Sequence, residues 1–381
     1  MSRSSKRARR CDGDTTRTKT LSAFDVDNCY LTPLPTFNDR GEPEDVEMGL
    51  GLAFCEALGV LAVSDCSWRS TLYGFSVNRD SATGVPMLVQ KWRLCGFRLY
   101  HPRIFNFDGA VGYSGRLAFT KDRRRPLLLA TDHGLNVVHV VDPVRGSLVG
   151  DLAPAGSIDG PRGIATRGSL VAVSFWRDRT PGNSGVAMYR RDGNTSWRQL
   201  WCVAEPRVPA WCSFTGPGGL RISRDEQYVA TAFIKDTKAV LMLNASTGEP
   251  IKYLQAELCG ASDVEEHPDQ DGWLVACCCK TTPTDATVDF VVDTTHRDGE
   301  YTLRQASLPT KSEPGHARCK HGEVAALALV PGLGLVARCF DGPHHLVLFT
   351  TPSMAAMGAM SGLRVAWITV VVRGVFRRAR K

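Results

Sequence analysis

The chain lacks the motifs that most directly name a chemistry. It has no Gly-x-Ser-x-Gly turn and no glycine-rich loop ending in Lys before a helix, which excludes the usual serine-hydrolase elbow and the P-loop nucleotide site. Gly216-Pro217-Gly218-Gly219 is glycine-rich but leads into a strand-like run, so it does not cradle phosphate. No apolar stretch reaches the ~20 residues that span a bilayer as a helix. The longest late run, Val365 to Val372, is β-branched and reads as a strand closing the last repeat. No apolar segment of the secretory type follows the basic start. The 13 cysteines are odd in number and scattered, which predicts thiols in a reducing, intracellular compartment, cytoplasmic or nuclear.

Acidic residues are missing from both ends. Arg3, Lys6, Arg7, Arg9 and Arg10 stand at the start, and Arg373, Arg377, Arg378, Arg380 and Lys381 at the finish. The formal charge is +7, so the body between these ten cations is slightly acidic and is not a general nucleic-acid surface. Nucleic-acid affinity would come from the basic termini. Lys6-Arg7-Ala8-Arg9-Arg10 reads either as a nuclear import signal or as a solvated arm. Residues 1–23 are expected to be a disordered basic arm and residues 377–381 a basic tail.

What is present is a repeat. A hydrophobic–alanine phrase occurs six times, with alanines at Ala62, Ala130, Ala172, Ala230, Ala276 and Ala337. A short apolar run precedes most copies, as in Leu52-Ala53-Phe54 and Leu220-Arg221-Ile222, across a turn such as Ser223-Arg224-Asp225-Glu226. A third apolar run follows, then in most copies a turn glycine (Gly146, Gly193, Gly248, Gly299) and a more polar fourth run. Two apolar strands, a third, and an amphipathic outer one give the burial order of a propeller blade from axis to rim. The prediction is an all-β, six-bladed β-propeller of four-stranded antiparallel blades over 24–376. The blades fall at roughly 50–98, 112–154, 160–205, 216–258, 261–309 and 322–373, with the alanines at equivalent places on each second strand. At 381 residues and 43% hydrophobic content, such a body needs no metal or disulfide staple.

Units two and three carry a family resemblance. Leu129-Ala130-Thr131-Asp132-His133-Gly134-Leu135-Asn136, then a β-branched run to Asp142, then Gly156-Ser157-Ile158-Asp159-Gly160-Pro161-Arg162-Gly163, resembles the NHL-type blade. Units three to six lack the acid after the second strand. The resemblance implies a propeller and leaves function open, because such rings serve both as binding scaffolds and as enzymes.

Two functions follow as expectations. The first is a non-catalytic scaffold that binds a protein partner through blade loops, needs no cofactor and does not span a membrane. Its anchors would be Trp68, Arg69, Trp176, Arg177 and Trp211, since aromatic and arginine side chains dominate interface energetics; each tryptophan could equally pack between blades. The alternative is a calcium-dependent lactonase- or gluconolactonase-like hydrolase with an axial metal held by Asp65, Asp132, Glu266 and Glu323. Against it, Phe175, Phe233 and Phe340 stand at three places where hard oxygen ligands would be needed. A purely local role for Asp65 and Asp132 is acceptance of backbone hydrogen bonds in the loops leaving their strands. Cys277-Cys278-Cys279 cannot converge on one ion, because successive strand residues face opposite ways. His316, Cys319 and His321 lack a paired cysteine at zinc-finger spacing.

Overall fold

A computed structural model of the chain describes residues 30–33, 35–43, 46, 51–65, 71–79, 81, 86–95, 115–122, 124–133, 135–154, 156–176, 184–193, 195–204, 217–233, 239–255, 261–266, 273–277, 289–293, 303–307, 321–330, 334–341 and 346–350. For some strand residues, including Asp65, Glu266, Ala276, Glu323 and Ala337, only the backbone is described. The predicted terminal arm and tail lie outside these residues.

The described residues are all β. An entry segment carries β1 (Tyr30–Pro33) and β2 (Thr36–Phe37). The first sheet follows as β3 (Leu52–Cys55), β4 (Val60–Asp65), β5 (Thr71–Arg79) and β6 (Pro86–Leu94). The second is β7 (Leu117–Phe119), β8 (Leu128–Asp132), β9 (Val137–Asp142) and β10 (Ser147–Asp151). The third is β11 (Pro161–Arg167), β12 (Leu170–Trp176), β13 (Ser184–Arg191) and β14 (Trp197–Ala204). The fourth is β15 (Pro217–Ile222), β16 (Tyr228–Phe233), β17 (Ala239–Asn244) and β18 (Pro250–Gln255). The fifth is β19 (Ala261–Glu266), β20 (Trp273–Cys277), β21 (Asp289–Asp293) and β22 (Leu303–Ser307). The sixth comprises β23 (His321–Val330), β24 (Gly334–Asp341) and β25 (Leu346–Thr350).

Neighbouring strands within these sheets are antiparallel and follow chain order. The fourth place in the sixth sheet is taken by β1, paired with β25 through Tyr30↔Thr350 to Pro33↔Val347. The sequence reading gave that closing role to Val365–Val372, which lie outside the described residues. The short β2 adds in parallel to the outer edge of β6. First strands touch first strands around a circuit, β3 to β7, β11, β15, β19, β23 and back to β3. The arrangement is propeller-like.

Burial follows from position in each sheet. The second strand β12 is buried along almost its whole length, whereas the outermost β14 alternates between half-buried and exposed. A strand covered on both faces takes continuous apolar residues; one at the rim does not. The core therefore lies between sheets. Leu61 and Val63 pack towards Val336 of the sixth sheet, while Ala62 and Leu72 pack towards Leu117 and Leu128 of the second.

That alternation corrects one detail of the repeat. Ala62 faces the sheet that follows, as does Ala172. Ala130 faces the sheet before it, and Leu129 takes the forward face in its place. The alanine of unit two is thus one residue out of phase, and a slip of one residue moves a strand side chain to the other face. The structurally matched residue is the hydroxyl: Ser64, Thr131 and Ser174 sit opposite Gly51 and Arg116, at the entries to β3 and β7, and Gly163, on β11. Each accepts the N–H of that residue, at 2.7, 3.0 and 2.8 Å. Two also donate across the gap to the next sheet, Thr131 to the Arg162 carbonyl at 2.8 Å and Ser174 to the Gly218 carbonyl at 3.1 Å. Small residues at the axis bring the sheets close, and the hydroxyls satisfy backbone groups that this close approach buries.

A second device repeats at the rim. The indole N–H of Trp92 on β6 donates to the Pro143 carbonyl at 2.6 Å, and that of Trp201 on β14 to the Ala245 carbonyl at 2.9 Å. Each ring lies over a turn glycine of the next sheet, Gly146 (φ 61°) or Gly248 (φ 79°). Glycine is needed there twice over, for the left-handed backbone and for the room. Trp92→Phe keeps the ring contact and removes the donor. It is expected to lower the unfolding free energy by about 1 kcal/mol, measured by the denaturant midpoint at unchanged slope.

Candidate functional site

In each sheet the first strand begins and the second strand ends at the same mouth of the ring. Three loop-bearing positions meet there in the second and third sheets. Asp132 closes β8, fully buried, and its Oδ1 accepts the N–H of Leu135 at 2.9 Å. Asn136 follows in the left-handed region (φ 54°), which asparagine tolerates better than most residues. Its Oδ1 accepts the N–H of Gly160 at 3.0 Å, and its carbonyl accepts that of Gly156, also at 3.0 Å. The loop of sheet two is thereby tied to the entry of sheet three. The Gly160 carbonyl in turn accepts the N–H of Trp176 at 2.9 Å.

Trp176 closes β12 and is 9% exposed. The guanidinium of Arg162, itself buried, lies 3.8 Å from the centre of the indole. A delocalised cation over an indole face is the most favourable cation–π pair. Of the five residues predicted to anchor a partner, Trp176 is the one described, and it packs within the molecule. Trp68, Arg69, Arg177 and Trp211 lie outside the described residues. The strand ends nearest to them in the chain, Asp65 of β4, Trp176 of β12 and Pro217 of β15, all stand at this mouth.

Behind the mouth an ion network crosses the ring. Arg116, at the entry to β7, meets Asp263 of β19 at 3.0 Å, with both side chains buried. Sheets two and five face each other across the circuit, so this pair spans the axis. Arg221 of β15 forks onto Glu265 Oε2 at 3.0 and 2.9 Å, donates to the Leu327 carbonyl at 3.1 Å, and lies 3.9 Å from Asp263 Oδ1. Asp263 Oδ2 also accepts the N–H of Leu327 at 3.0 Å. Burial pulls the Arg221 pKa down, but Glu265 and Asp263 outweigh it and hold the guanidinium above its ordinary value. Glycines make the space: a Cβ at Gly219 would meet Asp263 Oδ1 at 1.7 Å. Sequence reasoning missed this network. Its only trace was an arginine and two acids, Arg221, Asp263 and Glu265, on first strands otherwise rich in apolar residues.

Of the predicted calcium ligands, Asp132 and Glu266 stand at opposite mouths of the ring. Asp132 turns away from the axis: its Oδ2 lies 3.2 Å from Nε2 of His139 on β9, the next strand of its own sheet. The local role expected for it holds. Glu266 ends β19 opposite Trp273, at the far mouth from Asp65 and Asp132. Strands advance about 3.3 Å per residue, so one cation cannot reach both ends. Glu323 lies near the start of β23, with its side chain outside the described ones. Phe175 is half-buried against the cluster between sheets two and three, over Gly185. Among the described residues no group of three or more His, Cys, Asp or Glu could hold a metal ion. Among them, too, no helix is long and apolar enough to cross a membrane. Cys55, Cys95 and Cys202 are free thiols.

No family model matches the chain, and no curated protein matches it. Among solved structures it is similar to the Dos1 propeller, with a TM-score of 0.44, 13% identity, and coverage of 81% of this chain and 69% of that one. It is also similar to a chain of a nidogen/laminin complex, with a TM-score of 0.43, 16% identity, and coverage of 69% and 89%. A third likeness is to hydrazine synthase of Kuenenia stuttgartiensis, with a TM-score of 0.48, 13% identity, and coverage of 78% and 75%. At these scores none of the likenesses decides anything about function.

Proposed function

We propose that the chain is a six-bladed β-propeller with NHL-like blades that binds a protein partner through its blade loops, at the mouth where the second strands end. The observation that carries this reading is the occupied axis. Arg116, Asp263, Arg221 and Glu265 fill it with mutually paired charges, and Asp132, one of the four acids a hydrolase reading places there, is engaged within its own sheet. The Asp132–Asn136 loop supports the NHL-like assignment, since Asp132 braces the loop and Asn136 fastens it to the next blade. Trp68, Arg69, Arg177 and Trp211 are the proposed anchors, and the Arg162–Trp176 stack makes the end of β12 rigid. Rigid strands carrying variable loops give a broad surface at low ordering cost. The basic ends are proposed to direct nuclear accumulation or nucleic-acid contact and to be separable from this surface.

The test is affinity capture of tagged full-length protein from its native cells. The wild type is compared with a mouth variant (W68A/R69A/R177A/W211A) and with a variant at the opposite mouth (E56K/E226K). A partner retained by the wild type and by the opposite-mouth variant, and lost at least tenfold with the mouth variant, supports the reading. Equal recovery with all three rejects it. The hydrolase alternative makes a separate prediction. Millimolar calcium should leave the melting temperature unchanged, because a ligand that does not bind the native state cannot stabilise it. A calcium-dependent rise abolished by Asp65→Ala would restore that alternative.

A further inference from the structure

We propose that His139 is a titratable clip that fastens the edge strand β10 to the second sheet, and that its deprotonation releases Asp151 and loosens that edge. The geometry is a histidine between two acids. Its Nε2 lies 3.2 Å from Asp132 Oδ2 on β8, and its Nδ1 lies 3.0 Å from Asp151 Oδ1 on β10. Carboxylates only accept, and a neutral imidazole carries one N–H, so both contacts are satisfied together only by the imidazolium. The two acids are not equivalent. Asp132 is fully buried and already holds Leu135, whereas the Asp151 side chain is 41% exposed. When the ring loses a proton, the remaining N–H stays with the acid that water cannot reach. The bare Nδ1 then faces Asp151, and two acceptors repel. Asp151 turns to solvent.

The strand it anchors is poorly held otherwise. β10 is the outer edge of its sheet, and its pairing with β9 is interrupted between Leu148 and Gly150. Leu148 and Val149 are exposed, as is Val144 in the turn before it. Below Asp151 the next bond to β9 runs from the Leu152 N–H to the Val138 carbonyl at 2.8 Å. His139 shares the face of its sheet that packs against the first sheet, as Val141 does. From that side the shared cluster brings only apolar side chains among the described residues, including Ala62, Leu72 and Trp92. Burial pulls the His139 pKa down, but Asp132 and then Asp151 outweigh it, so the group titrates above its ordinary value. The clip is therefore closed below about 6.5 and opens as the pH rises through the higher folded value.

The test is hydrogen exchange of the full-length protein between pH 5.5 and 9, corrected for the intrinsic base-catalysed rate, with nitrogen NMR of the imidazole in parallel. Protection in β10 and at Leu152 is expected to fall at least tenfold across the His139 titration, while β8 stays protected. Asp151→Asn is the decisive variant, because Asn accepts from the imidazolium or donates to the bare nitrogen. Its β10 protection is expected to be independent of pH, and Asp151 is exposed enough for the chain to fold without it. A flat profile in the wild type, or an undiminished pH dependence in Asp151→Asn, overturns the proposal.

Discussion

Asp263→Ala is expected to cost about 3–5 kcal/mol of stability, the loss seen when one partner of a buried ion pair is removed and the other charge stays buried. The variant leaves Arg116 across the axis without its carboxylate at 3.0 Å and leaves the Leu327 N–H without an acceptor. Arg116→Ala is expected to cost less, because Asp263 keeps Arg221 and Leu327 as partners. The order of the two losses matters more than their size. Chemical denaturation of both variants in the same buffer reads it directly. An Asp263→Ala loss no larger than that of Arg116→Ala would mean that the axis is wet and screened, which would weaken the scaffold reading built on an occupied axis.

The second large effect is expected at Gly163. A Cβ there would stand 2.0 Å from the Gly218 carbonyl oxygen and 2.7 Å from Ser174 Oγ. The first obstacle is backbone of the next sheet, which cannot turn aside as a side chain can. Gly163→Ala should therefore part the third and fourth sheets and break the Ser174 bridge, costing about 3 kcal/mol, the upper end of the usual overpacking range. Gly59→Ala is the control. It has a left-handed φ of 61° and nothing within 4 Å of a new Cβ, so it should cost only about 1 kcal/mol. Similar melting temperatures for the two variants would show that the sheets are not packed as closely as the hydroxyl bridges require.

Local pattern by itself determined the all-β class, the strand order within each unit and the residues of the inner strands, because burial on both faces demands continuous apolar runs such as Val171-Ala172-Val173. It also marked Asp132 as a loop acceptor, since that side chain acts within three residues of its own position, and Asn136 as part of a repeat motif, although its partners Gly156 and Gly160 lie at the entry of the next sheet. Tertiary structure decided everything that depends on which sheet lies opposite. The phase of Ala130 could not be read, because one residue of shift leaves composition unchanged and reverses the face. The closing strand β1 lies more than three hundred residues from its partner β25, beyond the reach of any local pattern. Arg116 and Asp263 are ordinary charges in the sequence; they become a buried pair only when the circuit of first strands brings sheets two and five across one axis. His139 likewise read as one polar residue in an apolar run. It acquired two acids because antiparallel pairing places β8 and β10 on either side of β9, and hydrogen bonds between strands are set by register, which no window along the chain contains.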